Sequence, residues 1–195
     1  MKQLYSFLYL KIAALFILFF QMSCSNFSET VKGFVDEGVQ SARTELAKKG
    51  EAALDEFQKT YHSYSKTLAD SIQKTKLNEF YYSIKGTTSL LDSLIGSMDK
   101  LDYQNPENVA VVKDIFITKG WGDSVFISVH KCNGLAKQFA RNDMKDSKLN
   151  KVFKNYTKEN NQQMFALNSP LGVSLLLSNT KIEMLEGATE CMNYE

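Results

Sequence analysis

Two prolines, three cysteines, two histidines and one tryptophan are all that 195 residues contain of these types. Three cysteines without paired CxxC spacing exclude a zinc ribbon and an iron–sulfur cluster. Two histidines are too few for most metallo-hydrolase sites, and neither a GxGxxG nor a GxxxxGK[ST] phosphate cradle occurs. Charge is nearly balanced, with 23 basic and 22 acidic residues, so the clustered Lys/Arg face that nucleic acid requires is missing. What is abundant is apolar: 44% hydrophobic residues with 13 Phe and 9 Tyr, enough to exclude disorder and to build one domain with a real core.

The first 24 residues set the compartment. Lys2 and Lys11 precede the unbroken apolar run Ile12–Phe20. At 1.5 Å per residue this run is about 14 Å long, too short for a ~30 Å hydrocarbon core but suited to the h-region of a secretory signal. Met22-Ser23-Cys24 follows, and a small residue before a Cys at the end of an h-region resembles the lipobox of bacterial lipoproteins. Gln21 stands where that family usually carries an aliphatic residue. The resemblance implies removal of residues 1–23 and acylation of Cys24, whose three acyl chains exceed the two signals needed for stable anchoring. Two other readings are a retained membrane anchor over the uncharged stretch Ile12–Ser28 and an ordinary signal peptide. The scarcity of Cys favours the lipobox, and all three place the body outside the cytoplasm. Cleavage at Cys24 would leave 21 basic residues against 22 acidic.

Acylation of Cys24 leaves Cys132 and Cys191. In an oxidising compartment they are a candidate disulfide, and the alternative is two buried thiols acting as small hydrophobes.

The body reads as helix. Each proline sits where a helix begins: Asn105 can cap with Pro106 at the first helical position, and Ser169 with Pro170 likewise. Asn26 and Glu29 have the spacing of a capping box. Phe27, Val31, Phe34, Gly38, Ala42 and Leu46 recur in steps of three and four. The stripe resumes after Gly50 with Leu54, Phe57, Tyr61, Tyr64, Leu68 and Ile72, and Gly50 is the expected bend. A second stripe runs Leu77, Tyr81, Ile84, Thr88, Leu91, Ile95, Met98 and Leu101 to the Gln104-Asn105-Pro106 turn. A third runs Leu171, Leu175, Ser178, Ile182, Leu185, Thr189 and Met192, with Glu183, Glu186 and Glu190 on another, solvated face.

Between them, residues 106–142 admit two readings. Val111–Thr118 and Ser124–Val129 are β-branched and could form a hairpin around Lys119–Asp123. The helical reading is preferred because Phe126, Val129, Asn133, Ala136 and Phe139 keep helical spacing; Gly120 then ends one helix and Asp123 caps the next. Residues 142–168 read as a surface connection packed by Leu149, Val152, Phe153 and Tyr156.

No constellation carries chemistry. Gly122-Asp123-Ser124-Val125 resembles the nucleophile block of GDSL esterases, but no Asp-x-x-His exists and no His follows His130 to activate the Ser. His130 and Cys132 lie about 160° apart around a helix and cannot pair. The di-iron bundle signature is excluded because Lys59 and Ile127 occupy the positions three before His62 and His130. His62 reads as an interfacial packing residue. Trp121, flanked by glycines, is the candidate partner contact, against the plainer reading of a loop Trp folded onto the end of the bundle. The charge along residues 29–49 is mixed, as in a stalk or bundle helix rather than one lying on lipid.

With a membrane anchor, long helices and the Pro-led run Asn168–Leu177 continuing into Ile182–Glu186, residues 77–192 resemble the N-terminal periplasmic helical domain of the gliding-motility/type IX secretion motor protein M family. A lipobox stands in place of that family's transmembrane helix, and its later β domains are missing. The accessory lipoproteins of type VI secretion envelope complexes offer a second comparison. Either resemblance implies a non-enzymatic part of an envelope assembly.

The expectation is therefore an all-α antiparallel helical bundle with a long N-terminal helix or stalk. A signal peptide would occupy 1–23, the lipid anchor and long helix 24–76, and the bundle 77–195. Its task would be scaffolding or interaction at the bacterial envelope, facing the periplasm or exterior. No catalytic residue, metal or cofactor is expected; the partners would be the membrane, through acyl chains on Cys24, and envelope proteins. A carrier binding an apolar ligand between splayed helices is the alternative, marked by an internal cavity of several hundred cubic ångströms. An enzyme would need Glu183 and Glu186 to converge in a cleft.

Overall fold

The computed structural model describes residues 24–139, 148–156 and 169–193, and every described element is helical. Six helices follow one another: α1 Cys24–Thr67, α2 Ser71–Met98, α3 Asn108–Lys113, α4 Trp121–Phe139, α5 Lys148–Asn155 and α6 Pro170–Asn193. A five-residue π segment, Asp114–Thr118, extends α3. Residues 1–23, with the signal segment, and the side chains of the Asn26–Glu29 capping box lie outside the described residues.

Two compact units divide the chain between Thr44 and Glu45, and residues 76 and 77 both lie inside α2. In the first unit no residue of 35–44 is buried. Within the second, the chain leaves α1 at Thr67 and Asp70 caps α2, its carboxylate accepting from Ile72 N at 2.8 Å. Ile72 thus opens a new helix instead of continuing the first stripe, and it is exposed. Gly50 does not break α1; it is buried inside the helix beside Lys181 and Ile182 of α6.

α2 is the central strut. Tyr61 Oη donates to Asn78 Oδ1 at 2.7 Å and the Tyr61 ring stacks on Tyr81, placing α1 and α2 antiparallel. Lys181 reaches Asp92 at 2.7 Å and Ser174 Oγ donates to Asp99 at 2.7 Å, so α6 also runs antiparallel to α2. Ser83 meets Cys132 and Thr87 meets Ser128, giving α4 the same sense. The second stripe forms the core as its spacing predicts: Leu77, Tyr81, Ile84, Thr88, Leu91 and Met98 are buried, with Phe57, Val112, Phe116, Val129, Leu177 and Leu185.

The third stripe needs correcting. On α6 the buried set is Pro170, Val173, Ser174, Leu177, Thr180, Ile182, Met184, Leu185, Gly187, Ala188, Cys191 and Met192, while Leu171, Leu175, Ser178 and Thr189 of the stripe are only half-buried. The helix is packed by α2 and α5 and passed by α1, and a helix covered on several sides has no single apolar phase to read.

The β-rich segment 111–129 is helical, as preferred above. Val112 and Phe116, one turn apart, are both buried, and packing overrides β-propensity. The π segment closes with Lys119 N donating to Asp114 O at 2.9 Å. Gly120, at φ +74°, turns the chain in a conformation that side chains resist, and its carbonyl accepts from Ser124 N at 3.1 Å. Gly120 rather than Asp123 therefore stands at the start of α4.

At the prolines, Ser169 Oγ accepts from Gly172 N and Ser169 O from Val173 N, with Pro170 at the first helical position. Asn105 caps a tighter turn instead, its Oδ1 accepting from Glu107 N at 3.0 Å, and α3 starts three residues later.

Candidate interaction surface

Cys24 begins α1, and its side chain lies outside the described residues. No described helix is long and apolar enough to cross a membrane.

Cys132 and Cys191 are both buried and are not joined in a disulfide, so the reading of two packed thiols replaces that of a disulfide. The physical reason is placement: Cys132 Sγ on α4 faces α2, 3.3 Å from both Ser83 Oγ and Thr87 Oγ1, whereas Cys191 belongs to the last turn of α6. Thr87 spends its hydrogen on Ser83 O at 2.9 Å, leaving its oxygen to accept from the thiol. Burial pushes the Cys132 thiol above its usual range, opposed by the two hydroxyls, and pushes Cys191 up to about 12. Neither is poised as a nucleophile.

Trp121 opens α4 with 42% of its surface exposed. His62 is exposed rather than interfacial, its ring 5.2 Å from Tyr61. His130 is the more constrained histidine: its Nε2–H donates to Tyr156 O at 2.7 Å, capping the end of α5, and its ring lies 4.3 Å from Phe126. Ser124 Oγ donates to Gly120 O within the first turn of α4.

The acids of α6 divide. Glu183 is exposed, while Glu186 and Glu190 take Lys148 at 2.9 and 3.5 Å. Glu190 also accepts from Lys148 N at 3.3 Å, satisfying one open donor at the start of α5. Both ends of α5 are thus held from outside, by Glu190 and by His130. Its buried face is Leu149, Val152 and Phe153, followed by Tyr156, the four anchors read from the sequence. Tyr156 Oη lies 2.9 Å from Thr180 Oγ1, whose own hydrogen goes to Leu176 O, so the phenol donates. Burial raises that phenol to about 12. Gly187 lets α5 approach: a Cβ there would sit 2.4 Å from Leu149 N. Sequence reasoning missed this contact, although a glycine facing a short amphipathic segment was its available sign.

The remaining feature is an open groove of about 650 Å³ between α2 and α4, with Thr75, Glu79, Tyr82 and Ser83 on one wall and Lys131 and Leu135 on the other. A second, of about 470 Å³, runs between α1 and the end of α6 past Thr60, Tyr64 and Met192. No group of three or more His, Cys, Asp or Glu among the described residues is placed to hold a metal.

No protein-family model matches the chain, and neither a curated protein nor a solved structure does.

Proposed function

We propose that the protein is an exported lipoprotein, fixed to its membrane by acyl chains on Cys24 and serving as a non-enzymatic interaction or scaffolding component of a bacterial envelope assembly. The observation that carries this reading is the apolar run Ile12–Phe20 ending in Met22-Ser23-Cys24, directly ahead of a 44-residue helix. In that helix the 21 residues Cys24–Thr44 precede the compact unit that begins at Glu45. At 1.5 Å per residue this segment is about 30 Å long, enough to act as a spacer above lipid headgroups. The mechanism is geometric: the lipid fixes one end, the helix sets a distance, and the bundle offers exposed side chains such as Trp121 to a partner. The likeness to secretion and motility components makes such an assembly the favoured setting.

The buried residues form one continuous cluster running from Phe57 to Met192, which supports a filled scaffold more than a carrier. Lys148 engages Glu186 and Glu190, giving those acids a structural task.

Cys24→Ala tests the anchor. The variant should leave the membrane fraction for the soluble envelope fraction with its helical circular dichroism unchanged; continued membrane retention would reject the reading. Crosslinking in the native envelope tests the contact. Trp121→Ala should lower recovery of the captured partner at least tenfold, and unchanged recovery would remove Trp121 from the surface.

A further inference from the structure

Three large apolar side chains stand 64–66% exposed: Ile72, Tyr82 and Ile127. Tyr82 lines the α2/α4 groove, and Ile72 and Ile127 lie one helical step beyond its lining on α2 and α4. On α2, Ile72, Thr75, Glu79 and Tyr82 follow one another in helical steps of three and four and are all exposed. On α4, Ile127, Lys131 and Leu135 follow one another in steps of four, the first two exposed and Leu135 half-buried. The base is closed by Ser83, Thr87 and Cys132, whose polar atoms bond to one another. Gly86 keeps the α2 wall low, with open space where a side chain would stand. An apolar-edged trough between two antiparallel helices is the shape that receives further helices.

Its charges indicate which helices. Glu79 stands on the α2 wall and Lys131 on the α4 wall, and among the described residues neither makes an ion pair. A surface with opposite charges on opposite walls is complementary to itself under a two-fold rotation about an axis running along the groove. That rotation lays α2 of one copy over α4 of the other. The Ser83–Cys132 and Thr87–Ser128 contacts fix the register of the two helices and put Lys131 level with about residue 84 of α2. Glu79 of one copy and Lys131 of the other are then offset by about 7 Å along the helices, within the span of two long side chains.

We infer that the α2/α4 groove is the pairing surface of a homodimer, with Tyr82 at its centre and two reciprocal Glu79–Lys131 ion pairs along its edges. The inference is independent of acylation at Cys24, since it rests on the bundle alone.

Light scattering on the full chain in mild detergent, corrected for bound detergent, tests it. The wild type should have dimer mass at micromolar concentration. Glu79→Lys and Lys131→Glu, both at exposed positions, should each weaken dimerisation at least tenfold by setting like charges face to face. The double variant Glu79→Lys/Lys131→Glu should recover it to within about threefold of wild type. Identical thermal melts for the four proteins would place the effect at the surface rather than in the fold. A monomeric wild type up to about 100 μM, a dimer indifferent to the single reversals, or singles not rescued by the double would each overturn the inference. So would a different protein crosslinked in the envelope from position 82 while the chain itself stays monomeric. Failure here alongside a lipid-bearing Cys24 would leave the anchoring proposal intact.

Discussion

Gly187 and Gly50 both lie inside helices and are both buried, yet replacing each by Ala should move stability in opposite directions. At Gly187 the new methyl would meet Leu149 N at 2.4 Å, Leu149 Cβ at 2.8 Å and Leu149 Cα at 2.9 Å. Two of these are backbone atoms, so no rotamer change relieves them and α5 must lift. Overpacking costs about 1–3 kcal/mol, partly offset by the ~1 kcal/mol that Ala gains over Gly in a helix. α5 is poorly placed to absorb the strain. Its four anchors contribute about 1.5–3 kcal/mol each, against ~1–2 kcal/mol of backbone entropy for every residue ordered, so its docking is near balance. Gly187→Ala should therefore lower global stability by about 1–2 kcal/mol. Hydrogen-exchange protection of Leu149–Tyr156 should fall by roughly 5- to 30-fold while α2 keeps its own. At Gly50 the added methyl would lie 3.8 Å from Lys181 and 3.9 Å from Ile182 Cγ1, ordinary contact distances. Gly50→Ala should accordingly stabilise by up to ~1 kcal/mol, or about 2–4 °C in Tm for a chain of this size. Urea titration and amide exchange on both variants measure this. Equal effects of the two substitutions, or unchanged protection in α5 of Gly187→Ala, would refute the account of how α5 docks.

Stability should also fall in alkali. Cys191 and Tyr156 ionise near 12 in the fold because burial disfavours their charged forms, whereas the unfolded groups ionise near 8.5 and 10. A group whose folded pKa is raised contributes stability that is complete below its unfolded pKa and is lost as pH rises towards the folded one. Melts should therefore be level from pH 6 to 8 and fall by about 4–8 °C at pH 10, with a shallower slope in Cys191→Ala; a level profile to pH 11 would contradict the burial of both groups. Tyr156→Phe removes the hydroxyl that donates to Thr180 and should cost about 1 kcal/mol in urea titration. Ser169→Ala deletes the cap on Gly172 N and should cost ~1 kcal/mol, with exchange rising first at the start of α6.

The parts of the fold legible in the sequence were those governed by local chemistry. Ser169-Pro170 set the start of α6, six of the eight members of the Leu77–Leu101 stripe are buried with Ile95 and Leu101 half-buried, and the four anchors at α5 are all inside. Less legible was whatever depends on the number of neighbours. α6 is covered on several sides, so its burial phase could not be read from one stripe. The break at Leu68–Asp70 was hidden because Ile72 continues the spacing of the first stripe while belonging to the next helix. Of the large apolar residues that stand exposed, the sequence singled out Trp121 alone as a partner contact. Tyr82 and Ile127 carry no sign of exposure in their spacing, and the opposed Glu79 and Lys131 become a pattern only when α2 and α4 lie side by side.

The proposal of a tethered envelope component turns on the modification of one thiol. Cells fed radiolabelled palmitate should yield wild-type protein carrying label, its first residue Cys24, and Cys24→Ala protein carrying none. An unlabelled wild-type chain that still begins at Met1 and is recovered in the cytosol would contradict it.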